Sequence, residues 1–273
     1  MRIERADAGI GAIVSDIDLN RLGEEEWAQV YRTWLDAKVM AVRGQHFDIE
    51  QFLGLGRRFG RLKPHRVRKT RHPDYPELTR MGLETKTSGG TVNQAVYGRG
   101  DAWHTDGPWD QEVCKATQLY GLEIPSVGGD TLFSDMQAAY EALPESLRAR
   151  IDGLDARFVY GGRTRRVALL SPEDRDLPPA VHPVVKVHPE TGRRSLYINP
   201  VHFLEFVGME RAESDALAEE LFEYLFQPGA QYRHQWKQYD YVIWDNRCLI
   251  HAAAGGYPLD QKRIHWRSTI MEQ

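Results

Sequence analysis

The sequence has few cysteines and no long apolar stretch. Its two cysteines, Cys114 and Cys248, are far apart and form no C-x-x-C pair. A disulfide framework or a zinc–thiolate site is therefore not expected. No run approaches the roughly 20 apolar residues of a membrane-spanning helix. The N-terminus also lacks the apolar core of a signal peptide. We expect a cytoplasmic protein with no membrane partner.

A surplus of positive charge is absent as well. The 273 residues include 35 Lys and Arg against 39 Asp and Glu, which gives a formal net charge of −4. Nucleic-acid-binding domains usually carry a basic surplus, so a nucleic-acid partner is not expected. A small molecule is the partner that this composition favours, and a homo-oligomer is left open.

Three common catalytic motifs are missing. There is no P-loop lysine motif and no G-x-S-x-G nucleophile elbow. Gly9 and Gly11 resemble the start of a dinucleotide loop but lack its third glycine, and "GLGRRFG" has the wrong spacing. We interpret both segments as turns. Phosphoryl transfer, serine hydrolysis and hydride transfer on a Rossmann domain therefore lack support.

The apolar periodicity predicts a mainly β fold with flanking helices, of the α+β class. Helices are predicted in "EEEWAQVYRTWLDA", "DIEQFLGLGRRFG" with Asp48 as N-cap, "MQAAYEALPESLRARI" and "ESDALAEELFEYLF". Many short strands with Gly and Pro turns surround them, which favours a β-sandwich or jelly-roll barrel. Residues 60–110 are predicted to form a long loop. No linker divides the chain, so we expect residues 1–273 to form one domain.

The segment "AWHTDGPW" contains a candidate metal-binding pair, His104 and Asp106. Residues i and i+2 of an extended chain project to the same side, so both can chelate one ion. Two histidines and one carboxylate bind Fe(II) in non-haem oxygenases. His251, after the strand-like "YVIWDNRCLI", is the candidate third ligand. A lone H-x-D can occur by chance, and most other histidines are interpreted as structural or surface residues.

Two arginines near the C-terminus form a second candidate feature. Arg263 and Arg267 are four residues apart in "KRIHWRSTI", so a strand would place both on one side. Two inward guanidinium groups need anions, and a bound dicarboxylate would supply them. The alternative is a solvent-facing strand, and alternation alone does not decide between the two.

Five segments together resemble the Fe(II)- and 2-oxoglutarate-dependent dioxygenases of the TauD/TfdA family. They are "WHTDGPW", "EIPSVGGDTLFSDMQAAYEALP", "HPVVKVHPETGRRSLYIN", "IWDNRCLIHAAAGGYP" and "RIHWRSTI". The resemblance implies a double-stranded β-helix, which is a distorted, cupin-like jelly roll. It implies His104, Asp106 and His251 as the catalytic Fe(II) ligands. It further implies Thr131 and Arg263 as ligands of the distal carboxylate of 2-oxoglutarate.

The resemblance also implies the reaction. Fe(II), 2-oxoglutarate and O2 would hydroxylate an unactivated C–H bond, with succinate and CO2 as coproducts. Asp106 favours hydroxylation over halogenation, because iron halogenases lack this carboxylate. Arg267 would lie near both the cosubstrate and the substrate anion, and His65 in "KPHR" is the candidate second substrate contact. The anion could be a sulfonate, sulfate ester, aryloxy acid, phosphonate or carboxylate.

Two alternatives to this enzyme stay open at this point. One is a zinc-dependent, cupin-like enzyme that uses the same three ligands without Thr131 and Arg263. The other is a non-catalytic metal- or ligand-binding protein that has kept the barrel.

Overall fold

The computed structural model describes residues 1–82, 103–164, 170–227 and 229–272. Its helices are Glu24–Ala37, Ile49–Phe59, Met136–Ala142, Glu145–Ile151, Pro172–Arg175 and Arg211–Tyr224, with 3-10 helices at Leu19–Arg21, Arg68–Thr70 and Gly162–Thr164. Within these described ranges, none of the helices combines the length and the apolar character that crossing a membrane would require.

The strands of the described residues are numbered in chain order. They are β1 Arg2–Arg5, β2 Ala12–Ser15, β3 Val39–Val42, β4 Arg61–Lys63, β5 Thr79–Met81, β6 Cys114–Glu123, β7 Thr131–Asp135, β8 Asp155–Phe158, β9 Ala180–Pro183, β10 Val185–Val187, β11 Arg194–Leu196, β12 Phe203–Phe206, β13 Gln231–His234, β14 Tyr241–Asp245, β15 Leu249–Ala253 and β16 Ile264–Met271.

Two sheets form the jelly roll. The large sheet has the order β1-β2-β3-β14-β6-β16-β4, with β5 also paired to β16. The small sheet has the order β13-β7-β15. Apolar side chains of both sheets share one core, in which Phe133 and Leu249 of the small sheet meet Val242 and Trp244 of the large one. The predicted mainly β, jelly-roll fold is thus confirmed.

Helices cover the other face of the large sheet. Tyr241 and Ile243 of β14 pack into a second core with helices Glu24–Ala37 and Ile49–Phe59, whereas Val242 and Trp244 point to the small sheet. Since successive side chains of a strand alternate, the central strands are buried on both faces. On β16, Trp266 and Ile270 pack with the helical core. Arg267 therefore points into the space between the sheets.

Three local predictions need correction, and one is confirmed. The predicted helix in residues 136–151 is two helices, because Pro144 fixes its φ and lacks an N–H donor, and it becomes the N-cap of the second. The predicted loop at 60–110 includes β4 and β5, and its residues 83–102 lie outside the described ranges. Gly54 lies in helix Ile49–Phe59, not in a turn. That helix does begin at Asp48, whose carboxylate accepts from the Gln51 amide.

Candidate active site

The two candidate ligand histidines face each other across an antiparallel backbone pair. The His104 amide donates to the His251 carbonyl at 2.9 Å, and the His251 amide donates back at 2.8 Å. Residues that exchange both hydrogen bonds point their side chains to the same face. The two imidazole rings accordingly lie 4.2 Å apart, centroid to centroid. This bridge joins the H-x-D segment to β15 of the small sheet.

Asp106 is held by side chains of the large sheet. Its Oδ2 accepts from the Thr117 hydroxyl at 2.6 Å, and its Oδ1 lies 2.9 Å from Arg267 Nη2. Its backbone amide donates to Asn246 Oδ1 at 3.4 Å, and Asn246 donates in turn to Thr117 Oγ1 at 3.0 Å. Thr117 was not singled out from the sequence. Asn246, which directly follows β14, contacts Asp106.

Gly107 makes the close packing behind Asp106 feasible. Its φ is +71°, and a Cβ at this position would lie 2.9 Å from the Cβ of Cys114. A side chain there would be strained by its backbone conformation and would clash with β6. The H-x-D-G sequence therefore lets the chain turn sharply beside the metal-binding pair.

The donor atoms of His104, Asp106 and His251 all lie within 4.8 Å of one another. The Nε2 of His104 is 3.8 Å from Asp106 Oδ1, and the Nε2 of His251 is 3.9 Å from Asp106 Oδ2. Two donors that share one ion at about 2.0–2.2 Å each lie no more than about 4.4 Å apart. Two imidazoles and one carboxylate are also the donor set of non-haem Fe(II) sites. The three side chains therefore fit an Fe(II) ion.

Their charge states suit a divalent cation as well. Burial, followed by the charge of His104, lowers the pKa of His251 to about 3, which keeps its imidazole neutral. Burial alone would raise the pKa of Asp106, but Arg267, His251 and His104 together hold it well below its usual range. Metal ligands must be deprotonated, so both groups are ready to bind without losing a proton.

A second group of metal-ligand types consists of His188, Asp245 and Cys248. Its hydrogen bonds explain it without an ion. His188 Nδ1 accepts from the backbone amides of Glu190 and Thr191, so Nε2 carries the proton that faces Asp245 at 3.0 Å. Asp245 also forms an ion pair with Arg247, with Nη2 2.6 Å from Oδ2. We interpret this group as a structural network.

Thr131, the first residue of β7, contacts Arg263, which immediately precedes β16. Arg263 Nη2 donates to Thr131 Oγ1 at 3.3 Å, and Arg263 Nε donates to the Gly129 carbonyl at 2.6 Å. Within the described part of the chain, no carboxylate forms an ion pair with this guanidinium. Burial lowers the pKa of Arg263 to about 10. A half-buried cation that forms no ion pair favours an incoming anion, although the charge of Asp130 also acts on Arg263.

Arg267 and His65 lie together in a small open cleft. Its lining consists of Lys63, Pro64, His65, Arg66, Gly107, Trp109, Asp110, Arg267 and Thr269. Lys63 and Arg66 both form ion pairs with Asp110. The cleft thus has three cationic side chains and one carboxylate. The lining of the cleft is therefore net positive, which favours an anionic ligand.

Aromatic rings form one wall of this region. Trp109 lines the cleft and contacts Tyr160 and His202 edge to face, at 4.9 and 4.5 Å between centroids. His202 is buried, with its pKa well below the usual value because of burial and then the charge of His104, 5.9 Å away. No local motif in the sequence distinguishes His202 from the other histidines that were interpreted as structural or surface residues.

Three other tryptophans near the candidate ligands in sequence have different surroundings. Trp244 packs 4.7 Å from the His251 ring, whereas Trp266 contacts Phe52 on the helical side of the large sheet. Trp103 packs against Phe226. Of these three, Trp244 borders the candidate metal ligands, and Trp266 belongs to the helical core.

Comparison with known proteins adds independent evidence. The chain matches the family model "Taurine catabolism dioxygenase TauD, TfdA family" over residues 2–269. It is 34% identical to a (S)-phenoxypropionate/alpha-ketoglutarate-dioxygenase of Sphingobium herbicidovorans, over 97% of this chain and 92% of that protein. It is 31% identical to an alpha-ketoglutarate-dependent 2,4-dichlorophenoxyacetate dioxygenase of Cupriavidus pinatubonensis, over 95% and 93%. The crystal structure of a taurine dioxygenase from Burkholderia xenovorans superposes with a TM-score of 0.81 at 30% identity, covering 100% of this chain and 91% of that one.

Proposed function

The chain belongs to the TauD/TfdA family and is an Fe(II)- and 2-oxoglutarate-dependent dioxygenase, and we propose that it hydroxylates a C–H bond of a small aromatic carboxylate of the aryloxy acid class. Bound iron, with 2-oxoglutarate and O2, supplies the oxidising chemistry: one oxygen atom enters the substrate, and 2-oxoglutarate leaves as succinate and CO2. The protein's residues bind, orient and shield the reactants.

We assign the metal to His104, Asp106 and His251. Their three donor atoms lie within 4.8 Å of one another, and Thr117 and Arg267 fix the Asp106 carboxylate. This orientation by neighbouring groups is typical of metal ligands. Iron held on one face by three protein ligands keeps positions open for the cosubstrate and oxygen.

The observation that carries the 2-oxoglutarate assignment is the half-buried guanidinium of Arg263, which forms no ion pair within the described residues. A guanidinium matches a carboxylate with two parallel hydrogen bonds. Thr131 Oγ1 lies 3.3 Å from Arg263 Nη2 and adds a hydroxyl to the same corner. A zinc enzyme or a simple binding protein on this fold has no need for such a corner, which favours the dioxygenase.

The aryloxy acid class follows from the cleft and from the relatives. Arg267, Lys63 and Arg66 keep the cleft net positive even though they pair with Asp106 and Asp110. Trp109 provides an aromatic surface beside them. An aryl ring stacks favourably on such a surface. The two enzymes described above are named for phenoxypropionate and 2,4-dichlorophenoxyacetate. Hydroxylation of the carbon that carries the ether oxygen gives a hemiacetal, which breaks down to a phenol and a 2-oxo acid.

The test is O2 uptake by the Fe(II)-loaded protein with 2-oxoglutarate and a panel of candidates. We expect phenoxyacetate to stimulate uptake, with phenol, glyoxylate and succinate formed in equal amounts. The neutral analogue 2-phenoxyethanol should stimulate it far less, because it lacks the carboxylate. Stimulation by taurine or an alkyl sulfate, and not by aryloxy acids, would contradict the substrate class. No uptake with any candidate by folded, iron-loaded protein would contradict the reaction.

A further inference from the structure

Trp236 lies directly against the residues assigned to the distal carboxylate of 2-oxoglutarate. Its indole Nε1 donates to Thr131 Oγ1 at 2.9 Å, and both groups are buried. Arg263 Nη2 donates to the same oxygen at 3.3 Å, and the guanidinium carbon lies 6.0 Å from the Trp236 ring centroid. Trp236 follows β13, which pairs with β7 so that His234 lies opposite Thr131.

These two donors determine which way the Thr131 hydroxyl proton points. A hydroxyl has two acceptor lone pairs and one O–H donor. The indole and the guanidinium occupy the two lone pairs, so the proton is left as the free hydrogen-bonding group. Within the described part of the chain, the hydroxyl oxygen has these two donors and no acceptor. Its proton is therefore available to a ligand acceptor, such as a carboxylate oxygen.

The indole is itself held by two buried histidine rings. His265 contacts it edge to face at 4.4 Å and His234 at 4.7 Å, with interplanar angles of 71° and 87°. Both histidines have no exposed surface. Edge-to-face contacts of this kind favour one ring orientation. The two ring contacts therefore keep the indole Nε1–H directed at Thr131 before any ligand binds.

We infer that Trp236 is a positioning residue for 2-oxoglutarate, which acts by presetting the Thr131 hydroxyl as a donor to the distal carboxylate. This inference rests on the proposed assignment of Thr131 and Arg263. The effect belongs to the distal carboxylate alone, because Trp236 acts on that end of the site through Thr131. The affinity for a 2-oxo acid that lacks the second carboxylate does not depend on the orientation of the Thr131 hydroxyl.

The test is calorimetric titration of the Mn(II)-loaded protein under anaerobic conditions. Trp236→Phe keeps an aromatic ring and removes the N–H donor. We expect its Kd for 2-oxoglutarate to rise about tenfold, the size of effect that one hydrogen bond produces. The Kd for 2-oxobutyrate, which lacks the distal carboxylate, should change less than about twofold. Trp266→Phe, on the helical side of the large sheet, is the matched control and should leave both constants unchanged.

A double-mutant cycle separates positioning from general damage. In a Thr131→Val background, Trp236→Phe should change the 2-oxoglutarate Kd by less than about twofold, because the hydroxyl is already gone. Thr131→Ser should keep most of the affinity. Trp236→Met, which also lacks an N–H or O–H donor, is the second variant if the phenylalanine protein does not fold.

Two results would overturn the inference in distinguishable ways. The positioning role is wrong if wild-type protein binds 2-oxoglutarate and both Trp236 variants bind it equally well. It is also wrong if the variants lose affinity for 2-oxobutyrate to the same extent as for 2-oxoglutarate. If wild-type, metal-loaded protein does not bind 2-oxoglutarate, the assignment of Thr131 and Arg263 fails first, and the inference fails with it.

Discussion

Replacement of Arg263 by methionine gives a strong test of the cosubstrate site. Methionine retains much of the side-chain volume but removes the charge and every donor. Removing one partner of a buried charge pair costs about 2–5 kcal/mol. A loss of about 2–4 kcal/mol, at 1.4 kcal/mol per factor of ten, raises the Kd for 2-oxoglutarate by about 30- to 700-fold.

The same variant should not lose stability when no ligand is bound. In the ligand-free protein, Arg263 donates to Gly129 and Thr131 and has no carboxylate partner within the described residues. Burial of this unpaired cation opposes folding, as the lowered pKa of the guanidinium indicates. The free energy of unfolding of Arg263→Met should therefore equal or exceed that of the wild type.

The assay combines anaerobic calorimetry of Mn(II)-loaded protein with urea unfolding of the metal-free protein. Arg150→Met is a suitable control, because Arg150 is an exposed helix residue paired with Glu220. It should bind 2-oxoglutarate like the wild type. The reasoning is refuted if Arg263→Met binds 2-oxoglutarate within about threefold of the wild type, or loses more than about 2 kcal/mol of stability without ligand.

Four further outcomes are expected. Thr117→Val removes the hydroxyl that donates to Asp106, so Mn(II) affinity by titration should fall about 10- to 100-fold, while Thr117→Ser keeps it. His104→Ala should abolish iron-dependent turnover, and an active variant would refute its role as a ligand. Arg267→Ala should raise the KM for substrate more than the Kd for 2-oxoglutarate, whereas equal loss of both would contradict its place in the cleft. Burial holds the pKa of His265 well below its usual value. The unfolded chain therefore takes up a proton at this histidine near pH 6.5, whereas the folded chain does not. As a result, the free energy of unfolding falls as the pH drops below 6.5. Between about pH 7 and about pH 5.5, the free energy of unfolding of His265→Leu, measured with urea, should therefore fall by about 1.2 kcal/mol less than that of the wild type. The same pH dependence in both proteins would refute this.

Local signals in the sequence explain why several elements could be predicted. Helix Ile49–Phe59 begins at Asp48 because the carboxylate caps a free amide within three residues, an interaction that needs no tertiary contact. Pro144 carries an equally local signal, since proline disfavours helix in the residue before it, and the break between the two helices was readable from it. Both cases depend on residues only a few positions apart.

The H-x-D spacing is likewise local, and the pairing of His104 with Asp106 could be derived from two residues of extended chain. Local pattern made His251 a candidate ligand and Arg263 with Arg267 a candidate anion-binding pair, but the joint role of Thr131 and Arg263 could be recognised only by resemblance to a family. Thr131 and Arg263 are separated by 132 positions, and their contact exists because β7 and β16 lie in sheets that pack together.

The sequence by itself determined the fold class, the capped start of helix Ile49–Phe59 and the types of group available for metal and carboxylate binding. Only the tertiary structure decided which face of β16 carries Arg267 inward, because alternation defines two faces and packing chooses between them. It also decided that Asn246 supports Asp106, 140 positions away, and that Trp236 reaches Thr131. These contacts depend on the register of distant strands, and register depends on the burial of whole faces, which no short segment encodes.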